Sequence, residues 1–210
     1  MSRYDKHLVD RTESPQPRLF HPGAPAQPAP GRARRDKAVE VDFTENNISF
    51  WGYLHDTYGE ADSSVTTVHL LEMTGLISIP DLVVEQIELL PRTTAFELCG
   101  LAAEQVPTVE GLSLVRGFSR GVRERLGGKK GCTHMTSLVL ELTSTVILYW
   151  MAQIRKYLPY TEENRESGRW GAAALQVNPG FVGVCLGWDE DGEMMRRAQK
   201  QLIQHLNKEP

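Results

Sequence analysis

A chain of 210 residues has room for one domain with its own core plus tails, and a second full domain is not expected. Its net charge of -4, with 24% charged and 40% hydrophobic residues, creates no overall field suited to nucleic acid or to an anionic membrane. The three cysteines, Cys99, Cys132 and Cys185, are too few and too scattered for a disulfide framework, and the charged start from Met1 to His7 is followed by no apolar run, so the expectation is a cytoplasmic protein, neither secreted nor anchored in a membrane.

Residues 1–37 form a Pro- and Arg-rich stretch without apolar periodicity, which predicts a disordered arm ending in the solvated cluster Arg32-Ala33-Arg34-Arg35. Removing that arm up to Arg35 should then leave thermal stability unchanged. From Ala38 to Thr94 the pattern has period two: Val39, Val41 and Phe43, then Ile48, Phe50 and Tyr53, then Val65 to Ile77, then Leu82 to Leu90. Asn46-Asn47 and Ile79-Pro80-Asp81 supply turns between these runs. The reading is an antiparallel sheet of about four strands.

The period then changes. Helices are predicted over Phe96–Gln105, Val115–Leu126 and Thr133–Tyr157, the last nearly apolar all round from Leu138 to Met151. Such a helix is buried on several sides or sits in an interface; Glu141 and three nearby hydroxyl residues argue against a transmembrane span. Residues 38–158 make the core domain. Residues 159–210 read as an irregular segment followed by an amphipathic helix from about Asp189 to Leu206, packing on the core. Strands first and helices after define an α+β fold, with the helices on one face of the sheet.

Cys132 stands between Gly127-Gly128-Lys129-Lys130-Gly131 and a predicted helix, where unpaired N–H groups favour a thiolate able to bind a metal or attack an electrophile. His134 could ligate the same metal, act as base toward Cys132, or cap the turn. Cys99 also falls near a helix start. Cys185, His69 and His55 read more blandly, as a packed thiol, a core histidine and a surface or turn residue. No CxxC or HExxH spacing is present, so a metal site would have to form by convergence in space.

The stretch Gly117-Phe118, Val122-Arg123-Glu124-Arg125-Leu126-Gly127-Gly128, Gly131-Cys132-Thr133-His134 resembles the hallmark of a bacterial family catalogued only as a domain of unknown function. The likeness extends more weakly from Val39 to Ala152 and takes in Leu54-His55-Asp56-Thr57 and Asp81-Leu82-Val83. More remotely, the run from Val68 through Cys99 and Gly111 to Cys132 is similar to iron-sulfur cluster scaffold proteins, which implies a NifU/SufE-like fold. That second resemblance implies a shared site in which His69 or Glu72 stands near the first turn, with Cys99 and Cys132 at the second and third positions and His134 as the histidine. It lacks the first-turn cysteine.

Three functions compete. The first is metal binding, with His69, Cys99, Cys132 and His134 around zinc or iron, in an accessory protein or small enzyme of bacterial catabolism. The second is a metal-free thiol-dependent enzyme or binding module for a coenzyme A thioester or phosphorylated ligand, with Cys132 and His134 catalytic and Arg120, Arg123, Lys129 and Lys130 holding the anion. The third is a non-catalytic subunit that packs its apolar helix against a partner enzyme or a second copy of itself.

Overall fold

The computed structural model describes residues 27–206. The expected arm therefore lies outside the described residues as far as position 26. Strands β1 (Ala33–Phe43), β2 (Asn47–Gly59), β3 (Val65–Ser78) and β4 (Val84–Thr93) form one antiparallel sheet in the order β1-β2-β3-β4. Thr44 closes the first turn through its backbone N–H, which donates to the Asn47 carbonyl over 2.9 Å, and Ser78 closes the third by accepting from the Val83 N–H.

Strand β1 begins five residues before the expected edge of the core. Arg35 pairs with Asp56 and Arg34 with Asp36, so this part of the cluster read as solvated is bound into the sheet. Deleting the chain through Arg35 is therefore expected to lower stability. Because Arg35 is largely solvent-screened, the loss should be about 1 kcal/mol, or about 3 °C in melting temperature. An unchanged melting curve would show that these pairs contribute nothing.

Alternation decides which side chains point inward. Ile48, Phe50 and Leu54 of β2 share a face with Leu71, Met73 and Ile77 of β3 and with Val84, Ile87 and Leu89 of β4, and all are buried. Gly75 has no room for a side chain, since a Cβ there would stand 2.5 Å from the Phe50 ring and 2.0 Å from the Gln86 carbonyl oxygen. Helices cover this face. After the short α1 (Cys99–Ala103), α2 (Phe118–Leu126) contributes Phe118, Val122 and Leu126, and α3 (Thr133–Leu140) contributes Met135, Leu138 and Val139. This is the expected α+β arrangement.

The predicted long helix is two helices. Between α3 and α4 (Thr143–Arg155) Glu141 and Leu142 keep helical backbone angles but their N–H groups donate to the carbonyl three residues earlier, as do the hydroxyls of Thr143, Ser144 and Thr145. Residues 133–155 are long and apolar enough to span a membrane by length and composition. Yet Met135, Leu138, Val139 and Leu142 are sealed against the sheet, as in a core helix. Burial does not continue all round into α4, where Ile147 is 62% exposed.

Beyond residue 158 the chain is more regular than expected, with α5 (Glu162–Glu166) and α6 (Arg169–Val177) before α7 (Glu193–Leu206). The Thr161 side chain caps α5 by accepting from the Asn164 N–H, and Gly168, with φ +85°, separates α5 from α6. Helix α7 packs chiefly on α6, where Gly171 lets Met194 and Ala198 approach; α6 in turn lies on α4.

Candidate functional site

Asp56 and His69 are direct cross-strand neighbours in β2 and β3, one row beyond the buried pair Leu54 and Leu71. Counting by twos from Leu54 and from Leu71 brings both onto the inner face, at the end of the core. A β-bulge follows at once between Asp56 and Thr57. From β1, Arg35 joins the same row and grips Asp56 with both arms of its guanidinium, Nε to Oδ1 at 2.6 Å and Nη2 to Oδ2 at 2.7 Å.

The opposite wall is the first turn of α3. Cys132 holds the position before the helix in extended conformation, and its carbonyl accepts from the Thr136 N–H. Two residues on, the His134 ring stacks on that of His69 with centroids 4.0 Å apart. His69 Nδ1 lies 3.0 Å from Asp56 Oδ2, and His134 Nε2 lies 3.9 Å from the same oxygen. Asp56, His69 and His134 thus each offer a ligand atom, all within 4.8 Å of one another. The Asp56 and His69 side chains are 14% and 11% exposed, that of His134 31%.

Electrostatics favours the ligating forms of Asp56 and His134. Burial alone would raise the Asp56 carboxyl, but the hydrogen bonds and charge of Arg35, followed by those of His69, hold it below the ordinary carboxylate range. Burial, then the proximity of His69 and Arg35, lowers His134 despite Asp56, which favours neutral imidazole. The unfolded chain therefore takes up the proton first as pH falls below 6.5, the ordinary imidazole value. Metal-free protein should lose melting temperature over that interval, and His134→Ala should flatten the slope; parallel profiles for the two proteins would contradict this.

Of the residues singled out from sequence, His69 and His134 come together. Cys132 stands on the far side of the His134 ring, its Sγ 3.6 Å from Nδ1, while Nε2 faces Asp56. It therefore touches the cluster through His134. Cys99 opens α1 beside β4 and is not in the cluster. Glu72 is paired with Arg92 and points the other way along the alternation.

The cations proposed to hold an anion do not converge. Arg120 pairs with Glu124, Arg123 donates to the Ser119 carbonyl, and Lys130 donates to the Glu124 carbonyl, so these side chains serve α2 itself. Lys129 sits in the short turn after it. Sequence reasoning missed Asp56 and Arg35; strand parity was the signal that could have found both.

Beside the cluster lies a cavity of about 480 Å³ between α3, the Gly127-Gly128 loop and β1. Lys37, Thr133, Thr136, Ser137 and Glu141 give it polar walls, and Leu126 and Leu140 apolar ones. Lys37 reaches across to Ser137 Oγ at 3.2 Å and pairs with Glu141.

Fold and cluster together define an α+β protein with two histidines and an aspartate gathered where a sheet meets the head of a helix. The chain belongs to the family described as a protein of unknown function (DUF2889), whose profile matches residues 32–148. That span contains the whole sheet, α2, α3 and every residue of the cluster. No curated protein and no solved structure matches the chain.

Proposed function

We propose that this is a metal-binding protein whose ligands are Asp56, His69 and His134, with zinc or iron as the metal. The observation that carries the reading is the spacing of the donor atoms. Ligands about 2.0–2.2 Å from a common tetrahedral zinc ion stand about 3.3–3.6 Å apart, and the separations from Asp56 Oδ2, 3.0 Å to His69 and 3.9 Å to His134, bracket that range. Two imidazoles and a carboxylate suit zinc or ferrous iron and leave coordination positions for water or substrate. Bound there, such an ion supplies Lewis acidity and an activated water.

The protein's own residues orient the ligands. Arg35 fixes the Asp56 carboxylate through both oxygens, and the Cys132 sulfur, 3.6 Å from His134 Nδ1, can accept the proton that Nδ1 would carry once Nε2 held the metal. Cys99, Cys132 and Cys185 are all free thiols, which fits a cytoplasmic setting. Elemental analysis of purified protein should find close to one equivalent of zinc or iron, lost in Asp56→Asn. Substoichiometric metal after incubation with either ion would end the proposal.

A second reading has its own observation: Cys132, His134 and Asp56 also line up as nucleophile, base and orienting carboxylate. In that case His134→Ala and Asp56→Asn would both slow iodoacetamide labelling of Cys132 in metal-free protein. Unchanged labelling would eliminate it.

A further inference from the structure

We propose that the cavity between α3, the Gly127-Gly128 loop and β1 receives the body of a small organic carboxylate, whose head group completes the coordination of the metal held by Asp56, His69 and His134. This rests on the metal-binding reading.

Three observations carry it. The first is position. Thr133 lines the cavity and is flanked in the chain by Cys132 and His134, while Lys37 lines it from β1, two residues along the same strand face from Arg35. Cavity and cluster therefore share both walls, the first turn of α3 and the inner face of β1.

The second is charge. Arg35 is matched by Asp56 and Lys37 by Glu141, so these charged pairs cancel. A divalent cation would add two positive charges to this balance, and an anionic ligand on the open coordination positions would offset them.

The third is the lining. At about 480 Å³ the space has the size of a small-molecule site. Leu126, Leu140 and the glycine loop accept a hydrocarbon or ring body, and the Thr133, Thr136 and Ser137 hydroxyls can bond to polar substituents. Lys37 has three N–H donors and directs two of them to Ser137 and Glu141, which leaves a third for a ligand oxygen.

The test uses full-length protein loaded with cobalt(II), whose visible spectrum reports exchange of a coordinated ligand, and titrates benzoate and succinate as probes. At least one should shift the spectrum saturably and should bind the cobalt-free protein at least tenfold more weakly by calorimetry. Ser137→Leu, which fills the cavity without touching a proposed ligand, should weaken binding at least tenfold while cobalt content is unchanged. Lys37→Met should do the same, and it serves in place of Ser137→Leu if that variant misfolds. A loaded protein whose spectrum neither probe shifts, or a cavity variant that binds as well as the wild type, would overturn the carboxylate proposal and leave the metal reading standing. Failure to load cobalt, zinc or iron at all would overturn both.

Discussion

His134→Ala is expected to reduce metal affinity by more than a hundredfold, whereas Cys132→Ala should cost only about 10- to 100-fold, the range found when a group that merely orients a ligand is lost. The difference follows from which nitrogen faces which neighbour. Nε2 is turned toward Asp56, 3.9 Å away, and its removal leaves two ligands; Sγ of Cys132 meets the ring at Nδ1, on the side away from the cluster. Competition against a chromophoric chelator would measure both constants. Equal losses in the two variants would mean that the thiolate binds the metal directly and that the ring turns over on loading.

The largest expected change in stability comes from Leu138→Ala. Leu138 is 0% exposed and packs in the cluster between α3 and the sheet, four residues after His134. Truncating such a side chain costs about 2–5 kcal/mol, the spread depending on how far the surroundings collapse. In a domain of this size that corresponds to a fall of roughly 5–15 °C in melting temperature. Leu101→Ala is the control: that side chain is 59% exposed, and its loss should change stability by no more than about 0.5 kcal/mol. Urea denaturation of both variants would check the pair. Comparable losses would place the core elsewhere.

The sheet was legible because β-branched and aromatic residues alternate through Val39, Val41 and Phe43 and through Ile48 and Phe50, and the observed strands follow that alternation. The split between α3 and α4 was not, since neither proline nor glycine marks it. The hydroxyls of Thr143, Ser144 and Thr145 bond to carbonyls of the same chain segment where the hydrogen-bond pattern tightens, a signal that composition does not separate from an ordinary helix. Gly168 and Gly171 suggested irregular chain, yet one terminates a helix and the other lets two helices touch.

At the site, the Gly-Cys-Thr-His segment drew attention to the correct turn, and His134 is where that reading placed it, at the head of a helix. Asp56 escaped because an acidic residue near a strand end ordinarily faces solvent. Only its pairing with His69 and with Arg35 across two other strands turns it into part of a constellation, and pairing partners are a property of register, which no local window contains. Cys99, which opens α1, is not among the clustered residues, and Arg120 and Arg123 bond within α2.

The cluster joins two neighbours of one hairpin to a residue on a helix formed much later in the chain. Asp56 and His69 are only 13 residues apart and are brought together by pairing of β2 with β3 alone, whereas His134 arrives only when α3 seats on the sheet. An ion bound by all three therefore acts as a clasp on that seating. By mass action, free metal at 100 times its dissociation constant would tighten it by about 2.7 kcal/mol. The same linkage runs in reverse: anything that loosens α3 weakens the ion's hold, so metal release becomes a sensitive gauge of whether this helix is home.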